Sequence, residues 1–415
     1  MSGPFDGVRV VDVTHVLAGP YCTYLLALLG ADVVKVEAPA GLDFVRFRGG
    51  SDPAMNALGL ASGFLVQNAN KRSLGLDLKH RRGAEIFGSL VARADVVVEN
   101  FRPGVMERLG LGQEALARRN RRLVHCSLTG YGQSGAWHGR PAYDHVVQAV
   151  SGMMAANATD DGRPRRVGFP IIDYVTGLMA GFAIASALFE RTHSDRGQHI
   201  DVAMMDSAVA MMAPLVAQTV IGGGLRARTG DRAASGSPFS GMFETADGWL
   251  ALAANTVAQG RRVAALLGMD EIAADHRMEA FVAHPEFADE VEAALAARLR
   301  GRSALAWESL LSEHDVPAGK VRDVAEALAA APLVERGFLQ WIGGVPGRPA
   351  GIEVPGPGFR LARGSAGVTA PPPRLGEHSL AVLAEIGIDA AEASTLLADG
   401  VIATADPDPD DSSEL

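Results

Sequence analysis

The chain is poor in cysteine, lysine and aromatic residues, and it has no long apolar run. Two cysteines in 415 residues, Cys22 and Cys126, exclude a disulfide scaffold and a cysteine-rich metal site. Both read as core thiols. His138, His145, His193 and His199 show neither an HExxH pattern nor a paired spacing, so no metal is expected. The longest uncharged stretches are Val175–Phe189 and Ser207–Leu225. The first is too short to span a bilayer, and Pro214, Gln218 and three glycines interrupt the second; both read as buried elements of a protein without a membrane partner. Met1–Gly7 has no basic stretch followed by an apolar one, so no secretory signal is expected and a cytoplasmic enzyme is the default. The net charge of −10 argues against nonspecific nucleic-acid binding. That charge is uneven. Residues 1–230 hold 24 Lys+Arg against 20 Asp+Glu, a net of +4, and residues 231–415 hold 14 against 28, a net of −14. An anionic small ligand is best received in the first half.

What is present is globular: 48% hydrophobic and 21% charged residues. Val8–Val13 is a β-branched run, followed by a loop at 14–20, a helix over Tyr21–Leu29 stopped by Gly30, and a second strand over Ala31–Glu37. Further strands are expected at Asp95–Val98, Leu123–Leu128 and Gln198–Met204, and helices at Arg82–Arg93, Tyr143–Met154 and Tyr174–Arg191. This alternation predicts an α/β fold with a Rossmann-like, doubly wound parallel sheet. Composition breaks suggest a large domain over 1–228, a smaller α+β domain over 229–328, a return segment over 329–404 that completes the large domain, and a disordered acidic tail over 405–415.

The first βα loop, Thr14 to Pro20, lies where a dinucleotide fold keeps its phosphate loop, and Glu37 falls where a ribose-binding acid would sit. Only Gly19 occupies that loop, however, and the G-x-G-x-x-G fingerprint is missing. His15 either contacts a ligand or caps the helix. Asn70-Lys71-Arg72-Ser73, with Lys79 beyond it, reads as a basic insertion between apolar stretches. Asn100, Phe101 and Arg102, with Arg108 beyond, follow a strand directly. Strand ends bind ligands in open α/β sheets; arginine and lysine suit phosphates, and Phe101 offers a face to a base. Asp173 opens a helix, where aspartate is a favoured N-cap. It is equally a candidate nucleophile, since the helix dipole favours the carboxylate form.

Taken together, these segments resemble the class III coenzyme A transferases, the family of formyl-CoA transferase and the carnitine CoA-transferases. The resemblance is carried by His15-Val16-x-Ala18-Gly19-Pro20, Gly30-Ala31-Asp32-Val33-Val34-Lys35-Val36-Glu37, Asn70-Lys71-Arg72-Ser73, Glu99 to Gly104, Gly197-Gln198 with Asp201-Val202-Ala203-Met204, and Pro373 to His378. It implies coenzyme A or acyl-CoA as substrate, with no tightly bound cofactor. His15, Val16 and Ala18 would line the pantetheine and thioester. Leu76 to Lys79, Asn100 to Arg102 and Arg108 would hold the adenosine phosphates. Asp173 matches the catalytic aspartate, and Tyr143 with Asp144 a tyrosine–acid pair. Amides at the start of the Asp173 helix, or in the 235–241 loop, would then stabilise oxyanions. Leu17 replaces a glutamine of formyl-CoA transferase, and the glycine-rich lid shrinks to Ser235-Gly236-Ser237-Pro238, which argues against formate–oxalate exchange. The alternatives are an acyl-CoA racemase, whose histidine falls at Tyr143 with His145 two residues away, and a noncatalytic acyl-CoA binder. The resemblance also implies an interlocked homodimer.

Overall fold

The computed structural model describes residues 3–40, 43–50, 52–159, 161–222, 235–283 and 285–405. Six β-branched or apolar segments form β1 (Arg9–Asp12), β2 (Asp32–Glu37), β3 (Lys71–Leu76), β4 (Val96–Glu99), β5 (Val124–Thr129) and β6 (His199–Ala203). The chain then enters β7 (Ser240–Glu244), β8 (Trp249–Ala253) and β9 (Ala318–Lys320), a hairpin of β10 (Leu339–Ile342) and β11 (Ile352–Pro355), and finally β12 (Ile402–Ala403). The large sheet runs β12-β3-β2-β1-β4-β5-β6. Its first six strands pair in parallel, and β12 closes one edge antiparallel to β3. Successive strands step outward in both directions from β1 and β4. The loops after those two strands therefore diverge, opening the crevice in which such sheets bind ligands.

The chain divides into two compact units. One comprises Met1–Asn157, Pro164–Gly223 and Glu335–Leu415; the other comprises Ala158–Arg163 and Gly224–Val334. The smaller unit packs the antiparallel sheet β7-β8-β9 against helices Val257–Leu266, Pro285–Leu299 and Ala304–Glu313, over a core that includes Phe239, Leu250, Phe287 and Trp307. Ser237 is fully buried in this unit, and its hydroxyl donates to the Ala254 carbonyl at 2.7 Å, so the stretch expected to form a lid is pinned to the unit's own sheet. The glycine run at 223–224 and the tail beyond residue 405 lie outside the described residues.

Three expectations need correction. The basic insertion at 71–73 is the start of β3, and Lys71 is buried rather than offered to a ligand. Glu37 is not free for a ribose: Arg46 binds it at 2.7 and 2.6 Å, Ser73 donates to it at 3.0 Å, and all three residues are buried. The apolar helix runs over 24 residues, Ile171–Ser194, long and apolar enough by length and composition to cross a membrane. One face of it nevertheless packs on helix Ala18–Leu28. Gly177 allows that approach, because a Cβ there would stand 2.6 Å from the Ala18 carbonyl oxygen.

Lys71 explains how a charged residue begins an interior strand. Its ammonium lies 3.0 Å from Asp12 at the end of β1, both side chains are fully buried, and Thr23, Asn68 and the Pro20 carbonyl complete its contacts. Burial alone would raise the Asp12 carboxyl. Lys71, Lys35, Thr14 and Thr23 outweigh it and hold the group at about 2. Removing one partner of a buried pair strands the other charge. Lys71→Met should therefore lower unfolding free energy by about 3–5 kcal/mol in denaturant titrations at neutral pH. Because the folded Asp12 carboxyl lies below its ordinary 3.8, the wild-type contribution is complete above that value and is lost as pH falls toward about 2.

Candidate active site

The loop after β1 is tied down residue by residue. Asp12 Oδ1 accepts both the amide and the hydroxyl of Thr14, at 2.9 and 2.6 Å, while Lys35 Nζ donates to the Thr14 carbonyl at 2.8 Å. His15 and Asn100 then bond reciprocally: the His15 amide donates to Asn100 Oδ1 at 2.9 Å and Asn100 Nδ2 to the His15 carbonyl at 2.7 Å. This pair joins the loops of β1 and β4 across the crevice. Val16 adopts φ +68°, a left-handed conformation that is costly for a β-branched residue, and its amide is held by Asp43 Oδ2 at 2.9 Å. The His15 ring lies 5.7 Å from that of Phe101. Burial lowers its pKa further than the nearby Asp43 raises it, so the imidazole is neutral at neutral pH.

Asp173 is not the cap of its helix. The helix begins at Ile171, which puts Asp173 in its first turn, and the capping carboxylate comes from Asp144. Asp144 Oδ2 accepts the amides of Ile172 and Asp173 at 2.6 and 3.2 Å, and Oδ1 accepts Gln148 Nε2 at 2.6 Å. The helix-start amides expected to serve an oxyanion are therefore already engaged. Asp144 is buried beneath the site, whereas the Asp173 carboxylate accepts no hydrogen bond among the described residues. Burial, and then the charge of Asp144, push the Asp173 carboxyl up to about 7.

These residues line a cavity of about 460 Å³. It brings together His15, Val16, Ala18, Asn100, Phe101, Arg102, Tyr143 and Asp173, with Leu17 among them. Leu76 to Lys79, Arg108 and Asp144 stand outside its wall. Leu76 is 1% exposed in the core of the large unit, Lys79 and Arg108 are exposed on the surface, and Asp144 lies behind the wall as the cap. His145 is not in the wall either; it stacks on Tyr143 at 6.4 Å. Sequence reading passed over Phe44, Thr129, His138, Arg140 and Met204 as cavity residues. His138 and Arg140 lie nine and eleven residues beyond the end of β5, too far along their loop for the strand-end rule that found Asn100 and Arg102 to pick them out.

Residues 5–379 match the family model of CoA-transferase family III. The chain belongs to that family. Among relatives of this family III transferase, a mouse succinyl-CoA:glutarate CoA-transferase is 33% identical over 401 residues, covering 96% of this chain and 90% of its own. An acetyl-CoA:oxalate CoA-transferase from Acetobacter aceti is 38% identical over 358 residues, covering 85% of this chain and 90% of its own. Among solved structures, a CAIB/BAIF family protein from Brucella suis superposes with a TM-score of 0.80 at 31% identity, covering 93% of this chain and 100% of the other. The enzyme is thus a transferase whose substrates are CoA thioesters.

A carboxyl raised to about 7 keeps, in the folded chain, a proton that the unfolded chain releases near 3.8. Its contribution to stability therefore falls as pH rises between those values. Asp173→Asn should raise the thermal midpoint at pH 8, by the equivalent of about 1–4 kcal/mol, and the advantage should vanish toward pH 4. Scanning calorimetry at the two pH values checks this.

Proposed function

We propose that this enzyme moves CoA from an acyl-CoA donor to a free carboxylic acid, with Asp173 carrying the group in transit. The observation behind the reading is the Asp144–Asp173 arrangement: one carboxylate holds the helix and leaves the other unbonded in the cavity. The Asp173 oxygen attacks the thioester carbonyl and expels CoA thiolate, giving a mixed anhydride. The thiolate attacks the aspartyl carbonyl, releasing the donor acid and leaving CoA on Asp173 as a thioester. The acceptor carboxylate attacks that thioester to form a second anhydride, and the thiolate takes the acyl group and restores Asp173. The net reaction exchanges one thioester for another, so it needs no ATP. A largely desolvated carboxylate is a strong nucleophile, and exclusion of water protects the anhydride.

CoA would enter across the reciprocal His15–Asn100 pair, with its thioester end toward Val16 and Ala18. Lys79 and Arg108, both exposed, would meet the 3′-phosphate from outside the cavity. The resemblance-implied homodimer has support in the apolar face of helix Ile171–Ser194, where Leu178, Phe182 and Phe189 are 54%, 73% and 69% exposed.

Given acyl-CoA alone, the wild type should accumulate an adduct that hydroxylamine converts to a hydroxamate at Asp173, read by peptide mass. Asp173→Asn should fold yet lose turnover by several orders of magnitude. Near-normal transfer by that variant, or an adduct on Cys22 or Asp144, rejects the mechanism. The single-turnover acylation rate should climb as pH rises through about 7, where Asp173 ionises. Replacing Lys79 or Arg108 by alanine should weaken CoA binding roughly tenfold or more while sparing dephospho-CoA. Equal losses for the two ligands, measured by calorimetry, reject the phosphate assignment.

A further inference from the structure

The residues lining the cavity include two arginines, Arg102 and Arg140, and a single acidic residue, Asp173. Neither arginine makes an ion pair among the described residues. They belong to the loops after two neighbouring strands. Arg102 belongs to the loop after β4, next to Phe101, on the side proposed for CoA. Arg140 belongs to the loop after β5, four residues before the Asp144 that caps the helix of Asp173.

Arg140 is placed by its neighbours although its side chain is exposed. Its guanidinium carbon lies 4.2 Å over the Trp137 ring, and its amide donates to the Trp137 carbonyl at 2.9 Å. Trp137 in turn meets Tyr131 edge-on at 5.4 Å. Stacking uses the face of a guanidinium and leaves its in-plane N–H fork for a carboxylate. The same lining includes the apolar residues Leu17, Leu128, Ala142 and Met204. Such side chains suit methylene groups.

We infer that Arg140 binds the distal carboxylate of a short dicarboxylic acid whose other carboxylate reacts at Asp173. This rests on the transfer reading above. The acid leaving the donor and the acid entering as acceptor occupy the same place beside Asp173 in turn, so one arginine selects both. The apolar lining covers the chain between the two carboxylates, and the position of Arg140 sets the preferred length.

The test compares glutarate with pentanoate, equal in length and differing in the distal charge, as acceptors for the intact enzyme. The wild type should favour glutarate. Arg140→Ala should cut kcat/KM for glutarate by about ten- to hundredfold, the loss of one charge-assisted contact, while pentanoate and the calorimetric affinity for free CoA stay near wild type. Arg140→Lys should recover part of the preference. Trp137→Leu, which keeps the charge but removes its platform, should lose part of it. An unchanged glutarate-to-pentanoate ratio in Arg140→Ala, or a loss of free CoA affinity, overturns the assignment while leaving transfer intact. Absence of transfer by the wild type to every acid overturns the transfer reading and this inference with it.

Discussion

Everything in the cavity hangs from the buried contact between Asp12 and Lys71. Two charges removed from water are costly, and the cost is offset only where each has a full set of partners. Here Asp12 faces Lys71 and the hydroxyls of Thr14 and Thr23, while Lys71 also meets Asn68 and a main-chain carbonyl. The consequence is positional. Asp12 ends β1 at the point where strand order reverses, so its Thr14 bonds determine how the chain leaves the sheet. Lys35 fixes the next carbonyl, Asn100 the residue after it, and Asp43 holds Val16 in a conformation a valine would not adopt unaided. Local strain at a site persists only when its surroundings over-determine it, and this sequence of contacts does so.

The second constraint is a division of labour between two carboxylates. Asp144 accepts two helix amides and a glutamine amide; Asp173, one turn into that helix, accepts none among the described residues. Identical chemical groups thereby acquire different tasks from their surroundings alone. A cap that also had to act as nucleophile would lose its amide bonds at the moment of acylation and loosen the helix that aims it. With Asp144 as the cap, the acylation proposed for Asp173 would leave the helix start intact.

Much of this was legible in the sequence, for physical reasons that can be named. The apolar runs at Val8–Val13, Ala31–Glu37, Asp95–Val98 and Leu123–Leu128 predict parallel strands, and strands stand there within a residue or so, at Arg9–Asp12, Asp32–Glu37, Val96–Glu99 and Val124–Thr129. The cavity loops follow β1 and β4 because strand ends at a reversal diverge, and that is where the structure brings the strand-end candidates His15, Asn100 and Phe101 together. What misled was charge. Lys71 and Glu37 look like surface or ligand groups in a linear reading, because their partners, Asp12 and Arg46, lie far off in the chain or across a turn that no periodicity reveals. The capping role given to Asp173 failed for a related reason: local preference nominates the nearest aspartate, and the actual cap is 28 residues upstream of Ile172. Arg140 escaped notice because a lone arginine between glycine and proline shows no pattern; the Trp137 platform appears only when the loop is folded.

The two constraints also balance each other. Keeping Asp173 unpaired in a desolvated wall raises its carboxyl to about 7, and at higher pH this favours the unfolded chain. Pairing Asp12 holds its carboxyl near 2, which favours the folded chain over the same range. One buried acid has many partners and stabilises the frame; the other has none among the described residues and lines the cavity. A site that needs a naked carboxylate can tolerate it because the strand end beneath the same cavity supplies the opposite linkage. Asp173 can therefore be destabilising without the loop geometry around it giving way.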